Sequence, residues 1–419
     1  MTTISALGAF IALIVAIILI LKKVSPAYGM MVGALVGGLI GGANLTETVS
    51  LMIGGAQGIT TAVMRILAAG VLAGVLIESG AASTIAETIV KKLGETRALL
   101  ALILSTMLLT MVGVFIDVAV ITVAPIALAL AKRSDLSKMA ILLAMIGGGK
   151  AGNLMSPNPN AIAAADTFHT PLTSVMFAGV IPAIFGICLT YWLAKSLINK
   201  GSKVTDIDTS PSNNHLPAFL PAITAPLCAI FLLALRPICN IVIDPLIALP
   251  LGGLVGTICM GKAKQTNHFA MIGLTKMAPV AIMLLGTGTL AGVIANSGLK
   301  NLLIESLTQS GLPSYLLASI SGMLMSLSTA STTAGTAVAA NVFSSTLIEL
   351  GVSSLAGAAM IHAGATVFDH LPHGSFFHAT GGSVNMEINE RLKLIPYETA
   401  IGFIMAVVST LIFGVFQLI

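Results

Sequence analysis

The sequence predicts an all-α membrane protein of about fourteen apolar segments arranged as two inverted repeats, each with a hairpin and a broken helix near mid-membrane. Three observations predict it. Of 419 residues, 56% are hydrophobic and 9% charged, with a mean hydropathy of +1.01, too few charges for a water-facing surface of ordinary density. Apolar windows close to the ~20 residues that span a hydrocarbon core follow one another almost without interruption. The second half of the chain also repeats the first.

Taken in order, the first run is 3–21, followed by Lys22-Lys23. It has no basic residue before it and no small-residue cleavage site after it, so it reads as a spanning helix rather than a secretion signal. Further runs cover 26–43, 59–79, 98–115, 118–131, 136–149 and 174–194. A polar stretch at 195–215, with Lys195, Lys200, Lys203 and a Thr-Ser-Pro-Ser-Asn-Asn run, reads as a linker. The division is a first repeat at 1–195, a cytoplasmic linker at 196–216 and a second repeat at 217–419. The second repeat holds runs at 217–235, 245–260, 277–296, 313–327, 334–350, 355–367 and 396–416, several too short for an unbroken crossing. The 42 glycines permit close helix contacts and broken helices. Cys188, Cys228, Cys239 and Cys259 form neither a CxxC pair nor a His-bearing zinc spacing, and read as small buried hydrophobes.

The repeat rests on two matches. Leu-Ala-Gly-Val-Leu-Ile-Glu-Ser-Gly at 72–80 returns as Leu-Ala-Gly-Val-Ile-Ala-Asn-Ser-Gly at 290–298, displaced by 218. The run from Pro26 matches the run from Pro245, with Gly33 over Gly252, displaced by 219. Basic clusters at Lys22-Lys23, Lys91-Lys92, Arg97, Lys132-Arg133, Lys138, the linker, Lys262, Lys264, Arg391 and Lys393 are assigned to the cytoplasm. The N-terminus is then outside, the linker inside, and the halves inverted; Lys300 and Arg236 are exceptions. The net charge of +4 belongs to these loops and gives no reason to expect nucleic acid.

Transporters of this build place their site where helices break, because freed backbone groups and helix ends can ligate ions there. One kind of break is a hairpin tip: Phe115-Ile116-Asp117 in the first half, and the run containing Ser328, Thr329, Ser331, Thr332 and Thr333 in the second. Hydroxyls at such density suit a re-entrant turn; alternatively they bond to carbonyls of their own helix. The other kind is an unwound helix. The 147–160 stretch carries Gly147-Gly148-Gly149, Lys150, Asn153, Ser156, Pro157, Asn158, Pro159 and Asn160, a composition unfit for a regular spanning helix. Its counterpart is 369–375.

Ionisable residues within apolar runs are functional candidates, since an unpaired charge there costs about 2.5–3.5 kcal/mol or more. Asp117 is flanked by apolar residues on both sides and is a proton-carrier candidate, or else a structural partner for Lys150 or Arg65. Lys150 is placed to meet a substrate carboxylate or to balance Asp117. His362, His370, His373 and His378 lie around Asp369 and offer proton shuttling. No zinc-enzyme spacing is present among them, so no metal is expected.

The stretches at 147–160, 368–386 (Phe-Asp-His-Leu-Pro-His-Gly-Ser-Phe-Phe-His-Ala-Thr-Gly-Gly-Ser-Val-Asn-Met) and 390–398 (Glu-Arg-Leu-Lys-Leu-Ile-Pro-Tyr-Glu) resemble bacterial permeases of the gluconate permease (GntP) family, within the ion transporter superfamily. The resemblance covers nearly the whole chain and implies uptake of a small hydroxylated carboxylate by proton symport in a bacterial inner membrane. It also implies hydroxyl-rich motifs at both tips, from which Phe115-Ile116-Asp117 departs. The expectation is therefore a symporter in which Lys150, Asn153, Ser156, Asn158, Asn160, Ser328, Thr329, Ser331, Thr332 and Thr333 bind the anion. Asp117, with His362, Asp369, His370 and His373, serves coupling. Partners are a small organic anion, a proton with sodium as the alternative ion, and lipid; no cofactor is expected, and a homo-oligomer stays open. The rival is a cation/proton antiporter using Asp117 and Asp369 with no organic substrate. An intramembrane enzyme lacks a recognisable nucleophile motif.

Overall fold

The computed structural model describes residues 4–205, 216–299, 301, 302, 305, 309, 313–372 and 374–418. Apolar chain in lipid must satisfy its backbone internally, and the described residues form twenty α-helices, with β pairing confined to two isolated bridges. α1 (Ala6–Leu21) packs along α2 (Pro26–Ile40). α3 (Leu45–Gly58), opened by an Asn44–Glu47 capping box, and α4 (Thr60–Glu78) are parted by Ile59 alone. The apolar pattern does not reveal α3 because Thr46, Glu47, Thr48, Ser50 and Gln57 dilute it.

α5 (Ala81–Leu93) meets the Glu95–Met111 segment at 104°. There follow α6 (Ala98–Met111), α7 (Ile116–Arg133), α8 (Lys138–Leu154) and α9 (Pro159–Thr167). The 174–194 run lies in one span made of two helices, α10 (Leu172–Ala178) and α11 (Val180–Ser196), which meet at Gly179. The second half contains α12 (Phe219–Cys239), α13 (Pro245–Cys259) and α14 (Thr266–Ala295). It continues with α15 (Leu316–Thr329), α16 (Thr332–Glu349), α17 (Ser354–Ala365), α18 (Ser375–Ser383), α19 (Ile388–Leu392) and α20 (Ile395–Thr410).

Helix starts recur between the halves. α15 begins 218 residues after α6, and α16, α17, α18 and α19 each begin 216 residues after α7, α8, α9 and α10. The stretch matching α3 plus α4 is the single 30-residue α14, continuous through Pro279. Fourteen apolar segments do not become fourteen crossings. Six described helical spans are long and apolar enough to cross a membrane, or seven if the bent pair counts as one. The remaining apolar helices are short: α1, α2, α13, α15 and α17 have 12 to 16 residues, at most about 24 Å of helix against a core of roughly 30 Å.

The glycine run is helical, which corrects the reading of 147–160 as unwound: α8 continues to Leu154 and only 155–158 break. These glycines are packing surfaces. A Cβ on Gly148 would strike the Ile103 carbonyl and Thr106 of α6, and one on Gly152 the Met107 carbonyl and Thr110. The cysteines are corrected too: Cys188, Cys239 and Cys259 are exposed and Cys228 half-buried, as suits apolar side chains on a surface that meets lipid.

Loops gather at two ends. At one, Ile4 bonds to Asn296 and Gly298, and Ser5 to Gly41. At the other, Lys262 reaches the Ser79 carbonyl, Thr84 that of Pro217, and Lys138 that of Asn385. Residues 197–205 of the linker are docked there, with Ser202 held by Glu390 and Lys203 by Asp135; 206–215 lie outside the described residues. The halves interleave: α14 packs against α2, α3 and α4, and α11 against α20.

Candidate functional site

The first tip is the 112–115 turn, with Gly113 at φ +104. α7 starts immediately after Phe115, and Asp117 in its first turn accepts the Val118 amide at 2.9 Å. The second tip turns through Ala330, a non-glycine in the left-handed region (φ +46), and Ser331 caps α16 by accepting the Ala334 amide. The hydroxyl run divides. Ser328 and Thr329 donate to carbonyls of their own helix at Leu324 and Met325. Thr332 and Thr333 reach outward, Thr332 to Asp369 Oδ2 at 2.5 Å and Thr333 to Asn160 Oδ1 at 2.6 Å.

In the first break, Asn158 Nδ2 donates to Asn153 O (2.6 Å) and Oδ1 (2.5 Å), while its own oxygen caps α9 by accepting the Ala161 amide. Asn153 Nδ2 and Ser156 Oγ are buried without a hydrogen-bond partner. In the second break, Lys150 Nζ lies 2.6 Å from Asp369 Oδ1 and donates to Thr366 O at 2.7 Å. His370 Nδ1 stands 3.1 Å from the same ammonium, and Nε2 lies 3.2 Å from the Ile395 carbonyl. A carbonyl only accepts, so Nε2 carries a proton, while Nδ1 stands between the Lys150 ammonium and Asp369 Oδ1, 3.2 Å away. The ion pair is sealed, with Lys150 0% and Asp369 4% exposed.

Both tips and both breaks meet at one cavity of about 720 Å³. Its walls include the opening residues of five helices: Pro26 of α2, Ile116 and Asp117 of α7, Asn160 of α9, Thr332 and Thr333 of α16, and Ser375 of α18. Helix N-termini present free amides and the positive end of the dipole, so the cavity is built for negative charge. Asn153, Ser331 and Asp369 also line it.

Lys150, Ser156, Asn158, Ser328, Thr329, His362 and His370 stand outside the lining. His362 is buried in α17 with Nε2 unpartnered, His378 bonds to the Pro372 carbonyl, and His373 lies outside the described residues. Among the described His residues, His370 is the one in contact with Asp369, its Nδ1 3.2 Å from Oδ1. Asp117 is paired with neither Lys150 nor Arg65. The cation facing it is Lys276 of α14, a cavity residue that sequence reading missed because it precedes the 277–296 apolar run by one position.

Arg65 joins three elements elsewhere. Its guanidinium is bidentate on Asp244, with Nε to Oδ1 at 3.1 Å and Nη2 to Oδ2 at 2.5 Å, and its Nη1 meets Asp166 at the end of α9. Asp244 lies in the loop that caps α13, and the hydrogen bond from Arg65 holds its carboxyl below the usual carboxylate range.

The model of the family described as GntP family permease matches residues 2–418. A Haemophilus influenzae protein described as an uncharacterized transporter is 78% identical, with all of both chains covered. A gluconate permease of Pseudomonas aeruginosa is 24% identical, over 96% of this chain and 95% of its own length. Among solved structures, the crystal structure of the Alcanivorax borkumensis YdaH transporter matches with a TM-score of 0.63 at 16% identity, over 88% of this chain and 87% of that one. That likeness is one of fold.

Proposed function

Given that the chain belongs to the GntP family of permeases, we propose that it imports a small hydroxycarboxylate, a gluconate-like sugar acid, by proton symport with alternating access. The observation that carries this reading is the convergence of five helix N-termini, the outward-facing Thr333 and Asn160, and Asn153 on one cavity. Amides and the dipole ends favour a carboxylate, and hydroxyl and amide side chains suit a polyol. The cavity volume lies within the range of small-molecule sites.

The halves act as inverted repeats, a reading supported by the helix starts recurring at 216–218 residues and by the basic residues that gather at the end of the bundle holding Lys138, Lys203 and Lys262. That end is cytoplasmic, which places the N-terminus outside and makes each hairpin re-entrant. Asp117 carries the proton: neutralising it removes a negative charge from the cavity as the anion enters, so the two binding events favour each other. Asp369 has one oxygen engaged by Lys150 and the other by Thr332, which disfavours an antiporter that binds cations at both aspartates.

The test is uptake by proteoliposomes over a panel of sugar acids and hydroxycarboxylates under an acid-outside gradient, preceded by thermal-shift screening of the same panel. Uphill accumulation of one member that collapses with a protonophore supports the reading. Sodium-driven proton movement without any carboxylate present would replace it with the antiporter.

A further inference from the structure

We infer that Lys276 is the counter-charge for the substrate carboxylate, and that Asp117 and the substrate compete for it. The inference rests on the carboxylate reading above. Its starting point is the charge inside the cavity. Lys150, behind the wall, neutralises Asp369, which lines it. Of the residues lining the cavity, Lys276 is then the cation, and Asp117 the remaining anion.

Lys276 is available to a ligand in a way Lys150 is not. Its side chain is 37% exposed, and its nearest carboxylate, Glu78 of α4, lies 3.5 Å away, a loose ion pair on a second element. Lys150 has no exposure and two oxygen acceptors, Asp369 Oδ1 at 2.6 Å and the Thr366 carbonyl at 2.7 Å. Asp117 of α7 and Lys276 of α14 line the same cavity. The other charged groups on elements packed around α7 and α14 are held elsewhere. Arg65 is on Asp166 and Asp244, Glu47 is in the α3 capping box, Lys91 is on Glu87, and Lys138 is on the Asn385 carbonyl. Lys92 lies over the Phe219 ring, Glu349 closes α16, His378 bonds to Pro372, and Tyr28 faces outward.

An ionised Asp117 therefore cancels the cation that an entering carboxylate needs. A protonated Asp117 leaves Lys276 with only the loose Glu78 pair, and the substrate supplies the second negative charge. Proton and anion then enter as a neutral pair without any contact between them, Lys276 being the group both address. The relationship is reciprocal: bound carboxylate holds the proton on Asp117.

The experiment is gluconate binding to the purified full-length protein by calorimetry between pH 5.5 and 8.5, beside the uptake assay. In the wild type, Kd rises with pH, approaching tenfold per unit above the titration of Asp117. Asp117→Asn binds tightly with a flat profile, Lys276→Gln binds at least tenfold more weakly and flat, and Lys276→Arg recovers affinity and slope. Glu78→Gln, which frees Lys276 from its other partner, tightens binding and keeps the inference testable should Lys276→Gln fail to fold. Wild-type affinity and slope in Lys276→Gln, or unchanged binding in Glu78→Gln, overturns the role of Lys276 while leaving the transporter reading intact. No gluconate binding by the wild type overturns the gluconate reading and this inference together.

Discussion

Lys150 of α8 and Asp369 of the second break form an ion pair of 2.6 Å that joins a helix of the first half to a break of the second. Lys150 is fully buried and Asp369 nearly so at the cavity wall, and the Lys150 ammonium also caps the end of α17 through the Thr366 carbonyl. Removing one partner strands the other charge, which in buried pairs costs about 3–5 kcal/mol. Lys150→Met is expected to lose that order of stability, and Lys150→Met with Asp369→Asn to recover part of it. Thermal unfolding in detergent checks this; a double variant no more stable than the single one would count against the pair.

Asp117→Asn is expected to abolish uphill accumulation while preserving exchange of labelled for unlabelled substrate, because the cavity still binds the anion but no longer binds a proton with it. Counterflow and gradient-driven uptake in the same proteoliposomes separate the two. Uphill transport by this variant would remove Asp117 from coupling.

The division of the hydroxyl run predicts unequal effects at neighbouring positions. Thr333→Val loses a bond to Asn160 at the cavity wall and is expected to raise KM by about two- to tenfold, the worth of roughly 0.5–1.5 kcal/mol. Thr329→Val loses a bond to its own helix and is expected to leave KM unchanged. Asn153→Ala removes a donor with no partner in the protein and should raise KM about tenfold while Asn158 keeps the Asn153 backbone carbonyl.

Arg65 lowers the Asp244 carboxyl below its ordinary value. The sign follows: the contribution is fully present above the unfolded carboxylate pKa, near 4, and is lost as pH falls from there through the depressed folded value. Wild type is therefore expected to lose more thermal stability than Asp244→Asn on going from pH 6 to pH 3. Parallel melting curves would show that Arg65 contributes nothing there.

Gly148→Val is expected to prevent correct packing, since its side chain meets the Ile103 carbonyl in backbone contact. A monodisperse, normally melting Gly148→Val that fails only in transport would instead make the glycine run a ligand-binding feature.

Much of the site was legible because breaks are costly in lipid. Asp117 in an apolar run, and asparagines and prolines at 153–160, have few structural excuses there, and of these Asp117, Asn153 and Asn160 line one cavity. What was not legible depends on approach in three dimensions. Lys276 gives no signal beside an apolar run, and its neighbour Asp117 is remote in sequence. The Arg65–Asp244 pair spans 179 positions. The glycines read as unwound because composition does not distinguish a helix that bends from one that lets another helix come close. The number of crossings is not legible for a related reason, since hydropathy does not tell a full span from half of a hairpin.

One arrangement has a bearing on direction. Thr332 is tied to Asp369, Asp369 to Lys150 and Thr333 to Asn160, so the second tip and both breaks are stitched by side-chain bonds. In the proposed alternating-access symporter, a pocket so stitched keeps its shape whichever side it opens to, and its selectivity is the same for entry and for exit. Run against a reversed gradient, such a symporter would leak the very solute it had gathered, and would still hold back the others.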